Sequence, residues 1–122
     1  MHNISIVDDD ESVRTAMGRL VRSLGYNSSE FASAEAFLAS PWLAETACLI
    51  ADVQMPGMSG LDLQDALREQ GNLLPIIFIT AFPTDTIRKR AQAAGAVGFF
   101  GKPVDVQNLI LSLDAVLNKP RS

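Results

Sequence analysis

Three acidic residues stand where apolar segments of the sequence end. Asp52 follows the apolar run 47–51, and Asp8 and Asp9 follow the first apolar segment of the chain. A side chain at the carboxyl end of a buried parallel strand lies at the sheet edge where α/β proteins bind ligands. A turn-forming segment, 55–60, comes soon after Asp52 and precedes a helical pattern. The sequence therefore presents Asp52 as a reactive carboxylate at the edge of a sheet.

Two more polar residues end apolar segments further along the chain. Thr80 closes the stretch that begins at Pro75, and Lys102 comes shortly after the stretch 97–100. Because the carboxyl ends of parallel strands meet at one edge of a sheet, we expect these residues beside the three acids. The lysine would supply a fixed positive charge there, and the threonine a hydroxyl donor.

Three neighbouring carboxylates repel one another. At about 4 Å and an effective dielectric of about 20, each pair costs roughly 4 kcal/mol. Either some of them are protonated or a cation lies among them. Oxygen ligands suit Mg²⁺ (or Mn²⁺), and zinc is disfavoured because the sole histidine is His2 and the sole cysteine is Cys48. Acids, a cation, a lysine and a hydroxyl together are typical of a phosphoryl-transfer site.

The residue types therefore predict that Asp52 is a nucleophile that receives a phosphoryl group beside a metal ion. Each residue alone has a simpler explanation, since a single Asp after a strand usually caps a helix and a single Lys is usually solvated. The placement of all five residues at the ends of successive strands favours the chemical interpretation. A Gly-rich phosphate loop is absent from the sequence.

Short apolar segments alternate with amphipathic helical patterns along the chain. The predicted strands are 4–7, 26–31, 47–51, 75–80 and 97–100. The predicted helices are 11–24, 34 to about 39, from after Ser59 to about Gln70, from after Thr84 to Gly95, and 106–117. Trp42 is expected to be a buried plug beneath the loop before the third strand. Five β-α units predict a flavodoxin-like (βα)5 three-layer sandwich with a parallel sheet in the order 2-1-3-4-5.

Composition favours a single domain, residues 1–118, with 119–122 expected to begin a linker or tail. The net charge of −4 and the pI of about 4.8 argue against a basic nucleic-acid-binding face. Neither a signal peptide nor an apolar run long enough to span a membrane is evident. One cysteine cannot form an internal disulfide. A cytoplasmic protein without a membrane partner is therefore expected.

The chain resembles the receiver domain of two-component response regulators over essentially its whole length. The segments that carry the resemblance are 7–9, Asp52, 55–60, Thr80–Ala81, 94–96 and Lys102–Pro103. The resemblance implies that Asp52 is the phosphoacceptor for a phosphoryl group from a sensor kinase histidine. It further implies a signalling domain with Mg²⁺-dependent self-phosphorylation and dephosphorylation chemistry, and not a turnover enzyme.

The resemblance also assigns the metal ligands. It implies that Asp9 and Asp52 bind Mg²⁺ directly and that Asp8 binds it through water. The third protein ligand of the family is a backbone carbonyl two residues past the acceptor, here that of Gln54.

By the same resemblance, Thr80 is the switch hydroxyl and Lys102 the phosphoryl-binding lysine. The bond between Lys102 and Pro103 is expected to be cis. Phe99 corresponds to the aromatic switch residue, which is Tyr in many relatives and lacks the hydroxyl here. Thr80 is expected to move inward on phosphorylation, and Phe99 to fill the space that it leaves.

This chain has distinctive residues at two positions that tune the lifetime of the phosphoryl group in the family. They are Gln54 and Phe82, two residues past Asp52 and Thr80 respectively. A bulky Phe82 followed by Pro83 is expected to restrict the attacking water. The hypothesis is a comparatively long-lived phosphoryl state.

Output is expected at the face of the fourth helix, fifth strand and fifth helix, where the family dimerises or meets its output domain. Candidate surface positions there are Ile87, Arg88, Arg90, Asn108 and Ser112. Segments 6–14 and 33–38 resemble most closely the FixJ-type regulators, which carry a DNA-binding domain after the receiver. We expect a truncated transcription regulator, with contact to DNA only through that domain, and the alternative is a stand-alone receiver that acts by protein contact.

Three rival functions are less well supported by the residues. An aspartyl-nucleophile phosphatase of the haloacid-dehalogenase type wants a second Asp where this chain has Gln54. A flavin carrier would need a phosphate loop after the first strand, where the acids 8–10 would repel the cofactor's phosphate. A degenerate receiver, which binds partners without phosphorylation, is disfavoured by the complete set of acids, Thr and Lys.

Overall fold

The structure is a computed structural model that describes residues 2–118, so the predicted linker 119–122 lies outside the described residues. Its strands are β1 (Asn3–Val7), β2 (Asn27–Phe31), β3 (Thr46–Asp52), β4 (Ile76–Thr80) and β5 (Gly98–Gly101). Its α-helices are α1 (Glu11–Ser23), α2 (Ala34–Leu38), α3 (Gly60–Glu69), α4 (Asp85–Ala93) and α5 (Val106–Leu117). Each predicted element is confirmed, with ends that differ by no more than about two residues.

The five strands form one parallel sheet in the order β2-β1-β3-β4-β5, which confirms the predicted fold. β1 therefore lies beside β3, and β3 beside β4, so that their carboxyl ends share one edge. In the register of the last pairs, Asp52 lies opposite Ile79, and Thr80 lies opposite Gly101.

Alternate side chains of the strands fill two separate hydrophobic cores. One core joins the sheet to α1 and α5 through Ile4, Ile6, Ile50, Ile77, Met17, Val21, Leu109 and Leu113. The other joins it to α2, α3 and α4 through Val7, Leu49, Phe78, Phe37, Leu63, Leu67 and Ala91. Burial of both sheet faces explains why β3 and β4 are apolar at nearly every position and not only at alternate ones.

Local signals fix where the helices begin. The Asp10 carboxylate accepts the backbone N–H of Ser12 and Val13 at the start of α1. At the start of α3, Ser59 and Asp62 form a reciprocal capping box. These caps depend only on neighbours in the sequence, which is why the helix starts were predictable.

The prediction for Trp42 is wrong. Its side chain is 48% exposed and lies on a short 3-10 helix, Pro41–Glu45, that the sequence analysis did not anticipate. Leu43 of that turn packs against the core instead. A tight turn directs neighbouring side chains apart, so only one of the two apolar residues faces inward. Among residues 2–118, no helix combines the length and apolar character that crossing a membrane requires.

Candidate functional site

The three predicted acids meet at the carboxyl ends of β1 and β3. One carboxylate oxygen from each of Asp8, Asp9 and Asp52 can be chosen so that all lie within 4.8 Å of one another. Asp8 is fully buried and Asp52 is 4% exposed, whereas Asp9 is open to solvent. The sheet order produces this cluster, because it makes β1 and β3 neighbours although 38 residues lie between the end of β1 and the start of β3.

Lys102 reaches the acids from the end of β5. Its Nζ lies 3.0 Å from Oδ2 of Asp8 and 3.2 Å from Oδ2 of Asp52. The contact with Asp52 is a hydrogen bond, and the contact with Asp8 is an ion pair without hydrogen-bond alignment. The Lys102 backbone N–H donates to the carbonyl of Thr80 at 2.7 Å, and the bond to Pro103 is cis, as expected.

Backbone groups orient the two buried carboxylates. The N–H of Asp10 donates to Oδ1 of Asp8 at 2.8 Å, and the N–H of Gln54 donates to Oδ1 of Asp52 at 3.2 Å. Arg14 of α1 donates from Nη1 to the Asp8 carbonyl at 2.7 Å, which secures the loop between β1 and α1. The Oδ1 atoms of Asp8 and Asp52 thus accept backbone hydrogen bonds, and the Oδ2 atoms of both residues face Lys102.

The donor set fits a hard divalent cation. Every available ligand atom is oxygen, and the buried Oδ2 of Asp8 accepts no aligned hydrogen bond from any described residue. Mg²⁺ prefers such oxygen sites and keeps several waters, which the exposed side of Asp9 leaves room for. Asp8, Asp9, Asp52 and the Gln54 carbonyl are the groups that could hold it.

Burial and neighbouring charges together raise the pKa of both central groups, Asp52 and Lys102. Burial raises the pKa of Asp52, and the negative charge of Asp8 raises it further, while the Lys102 ammonium opposes both. Partial burial lowers the pKa of Lys102, but its contacts with Asp8 and Asp52 outweigh burial and leave that pKa raised. Lys102 therefore stays protonated, and the ionised Asp52 carboxylate is held in an unfavourable environment.

Thr80 and Phe99 lie on the sheet face that α3 and α4 cover. Thr80 is fully buried, and its Oγ1 accepts the backbone N–H of Phe82 at 3.1 Å. Phe99 is half-buried against the core beneath α4. Phe82 is 65% exposed, and Ala81 is exposed beside it. Thr80, Ala81, Phe82 and Phe99 are thus all on the β4 to β5 side of the acids, whereas Gln54, the other predicted tuning residue, follows Asp52 at the end of β3.

Gly60 has a role that the sequence pattern alone did not show. A Cβ on this first residue of α3 would overlap the carbonyl oxygen of Asp52 and lie 3.0 Å from Cα of Val53. The Gly60 N–H also donates to the Val53 carbonyl at 2.9 Å. Only glycine lets α3 begin so close to the strand that carries Asp52. The turn signal around 55–60 pointed to the loop, and the close approach itself depends on tertiary structure.

Two more residues support the site from outside it. Gln64 is buried in α3, and its Nε2 donates to the carbonyl of Ala91 in α4 at 3.1 Å. Arg88 of α4 lies over the ring of Phe99, with Cζ 5.7 Å from the ring centroid. The sequence analysis treated Arg88 only as a surface position, because the pattern of α4 gives no sign of what lies beneath it.

The fold and this edge define a flavodoxin-like α/β domain with an acidic, lysine-paired site at the ends of its strands. Residues 4–114 match the response regulator receiver domain family, and the chain therefore belongs to that family. It is a signalling domain of two-component systems and not a classical enzyme.

Individual relatives agree with this assignment. The response regulator protein TodT of Pseudomonas putida is 44% identical over 114 residues, which cover 93% of this chain and 50% of TodT. The transcriptional regulatory protein FixJ of Azorhizobium caulinodans is 32% identical over 116 residues, 95% of this chain and 55% of FixJ. The chain thus spans about half the length of these regulators.

A solved structure has the same fold over nearly all of this chain. The Vibrio cholerae chemotaxis protein CheY4 superposes with a TM-score of 0.86 at 29% sequence identity. The superposition covers 96% of this chain and 99% of that one.

Proposed function

We propose that Asp52 accepts a phosphoryl group from the histidine of a sensor kinase and that the phosphorylated chain switches an output partner. The observation that carries this proposal is the arrangement of Lys102 between Asp8 and Asp52, with Asp9 open to solvent beside them. A carboxylate oxygen of Asp52 forms the new bond to phosphorus, and the bond from phosphorus to the donor nitrogen breaks.

Each neighbour of Asp52 has a part in this transfer. Asp9, Asp52 and the Gln54 carbonyl would hold Mg²⁺ directly, with Asp8 acting through water, and the bound ion would offset negative charge on the transferring group. Lys102 Nζ lies within reach of the new phosphoryl oxygens and exchanges its contact with Asp52 for them. Thr80 Oγ offers a further donor once it turns from the Phe82 N–H.

The same contacts drive a shift between two conformations. Moving an equilibrium from 1:99 to 99:1 takes roughly 5.5 kcal/mol of differential stabilisation, which a few charge-assisted bonds in a buried site can supply. Thr80 moves inward, Phe99 follows, and the surface of α4, β5 and α5 changes. Homodimerisation on that surface fits its exposed apolar residues, Val97 at 45% and Leu111 at 64%.

The proposed output is the regulation of transcription, and the relatives support this proposal. FixJ is a transcriptional regulator of which the aligned residues cover 55%, so we propose that residues 1–118 are the receiver of such a regulator and that 119–122 begin its linker. DNA would be bound only by the further domain, in the cytoplasm. A stand-alone receiver is the alternative, and the reading frame after Ser122 distinguishes the two.

Intact-protein mass spectrometry tests the central step. With acetyl phosphate and Mg²⁺ the chain should gain the mass of one phosphoryl group, and Asp52→Asn should gain none. Asp65→Asn is the matched control, because it removes an acid of α3 whose ion pair among the described residues is with Arg90 at the surface. Chelation of the metal should abolish the gain. Phosphorylation that persists in Asp52→Asn would refute the assignment.

The rate of hydrolysis tests whether the phosphoryl group on Asp52 is comparatively long-lived. Phe82 is 65% exposed and lies two residues past Thr80, and we expect its ring to restrict the attacking water, so Phe82→Ala should speed hydrolysis of the phosphorylated chain. Leu73→Ala removes an 85% exposed apolar side chain from the opposite end of β4 and serves as the control. Equal hydrolysis rates in wild type and Phe82→Ala would end this hypothesis.

A further inference from the structure

The guanidinium of Arg88 lies over the ring of Phe99. Its Cζ is 5.7 Å from the ring centroid, which is within the distance at which a cation is attracted to an aromatic face. Asp85, one turn earlier in α4, pairs with Nη1 of Arg88 at 3.2 Å and helps to hold the side chain. The contact joins the first half of α4 to the middle of β5.

Phe99 occupies a position from which its ring can affect the phosphoryl site. Its neighbour in the register is Phe78, and the next residue on the same face of β5, Gly101, lies opposite Thr80. Gly101 has no side chain, and the ring of Pro83 packs where one would be, with Cγ 3.1 Å from the position of a Cβ. The Phe99 ring is thus the large side chain beside Thr80 on β5.

The two halves of α4 are held differently. Ala91 is the only buried residue of the helix, and its carbonyl accepts the hydrogen bond from buried Gln64. Arg90 pairs with Asp65 of α3 at 3.0 Å. These contacts secure the second half of α4 to α3. The first half is mostly exposed and meets the core through the half-buried Ile87, and the contact of Arg88 with Phe99 is a further link between it and the sheet.

We propose that Arg88 is a positioning residue of the switch, which holds the Phe99 ring in the unphosphorylated conformation through its cation. The inference rests on the proposed phosphorylation of Asp52. Phe99 has no hydroxyl with which to form a hydrogen bond, so a charge over the ring face is the polar contact open to it. Any movement of the ring toward Thr80 must break this contact.

Removal of the cation should therefore favour the switched conformation. A cation–π contact at a partly exposed site corresponds to a change of about two- to five-fold in the equilibrium. If phosphorylation proceeds from the switched conformation, Arg88→Met should raise the initial rate with acetyl phosphate and Mg²⁺ by about the same factor. Arg88→Lys keeps a cation on a long stem and should stay close to wild type.

A matched variant separates this effect from a change in net charge. Lys89→Met removes the same charge from the adjacent, exposed position of α4, so it changes the attraction of the anionic donor equally. Arg88→Met should therefore be phosphorylated about two- to five-fold faster than Lys89→Met. In a Phe99→Leu background, Arg88→Met should have no effect, because the ring is gone. Equal rates in Arg88→Met and Lys89→Met, or an undiminished effect in Phe99→Leu, would overturn the inference.

A second measurement uses the unphosphorylated chain. A double-mutant cycle of Arg88→Met and Phe99→Leu on the free energy of unfolding should show a coupling equivalent to about two- to five-fold. Zero coupling overturns the inference even where phosphorylation occurs normally. A wild-type chain that takes up no phosphoryl group would instead contradict the proposed function, so the two failures are distinguishable.

Discussion

Polar side chains are buried at both ends of the central strands, but the charge and bonding of these side chains differ between the two ends. Toward the amino ends the groups are neutral and, apart from Asn3 Nδ2, which has no partner among the described residues, they bond to one another. The hydroxyls of Ser5 and Thr46 lie 2.6 Å apart, and Thr46 Oγ1 donates to the Trp42 carbonyl at 2.6 Å. At the carboxyl ends three carboxylates face one ammonium, that of Lys102.

This difference separates a structural polar cluster from a functional one. Neutral hydroxyls that satisfy one another stabilise the fold and need no ligand. Buried carboxylates in excess of their counter-charges cost free energy, and a bound cation or a changed charge state relieves that cost. The carboxyl ends are therefore the place where a ligand can change the energy of the chain, and the amino ends are not.

The largest expected effect on stability and phosphoryl uptake comes from crowding the carboxyl end of β3 with an added Cβ. Gly60→Ala places a Cβ against the backbone of Asp52 and Val53, so α3 must shift. We expect a loss of about 1–3 kcal/mol in the free energy of unfolding, together with loss of phosphoryl uptake, measured by denaturation and by mass. Gly18→Ala is the control, because its nearest contacts would be the flexible ends of two side chains, the Glu30 carboxylate and the Arg22 guanidinium. A fully active Gly60→Ala would show that α3 does not need this close approach.

Mg²⁺ should stabilise the chain through its acidic end alone. At a concentration of 100 times Kd the gain is about 2.7 kcal/mol, seen as a rise in Tm relative to chelated protein. Asp9→Asn should lose most of this gain, and Ser5→Ala at the other end should keep it. A similar loss in both variants would mean that the two polar clusters do not differ in the proposed way.

Asp52→Asn should increase the free energy of unfolding in metal-free buffer at neutral pH. The folded-state pKa of Asp52 is raised by burial and by Asp8, so the ionised carboxylate is less favourable in the fold than in the unfolded chain. The wild type therefore regains stability as the pH falls through that raised pKa. The advantage of Asp52→Asn over wild type should shrink over the same pH range, as denaturation at a series of pH values would reveal. An advantage that grows toward acid pH would contradict the sign.

Ser5→Ala should lower the free energy of unfolding, which is opposite in sign to the effect of Asp52→Asn, and its effect should be the smallest of these. It removes one hydroxyl from a satisfied pair, which costs about 1 kcal/mol and leaves Thr46 bonded to the Trp42 carbonyl. Chemical denaturation at neutral pH measures both Ser5→Ala and Asp52→Asn. Stabilisation by Ser5→Ala would remove the distinction between the two ends.

Much of the fold was predictable because its signals are local. Asp10 and Ser59 cap helices through N–H groups two or three residues away, and the apolar runs of β3 and β4 report burial on both faces. The acids, Thr80 and Lys102 followed from the same reasoning, since a strand end can be located without knowledge of any distant contact. Their roles in phosphoryl transfer remain predictions.

The sequence by itself determined the order of the elements and which polar side chains end the strands, because caps, turns and hydrophobic periodicity act between near neighbours. Tertiary structure alone decided the exposure of Trp42, the approach of Gly60 to Asp52, and the position of Arg88 over Phe99. Each of these depends on how two separately formed elements pack. A helical pattern specifies its own apolar face, but the neighbour that it meets is set by the assembled sheet.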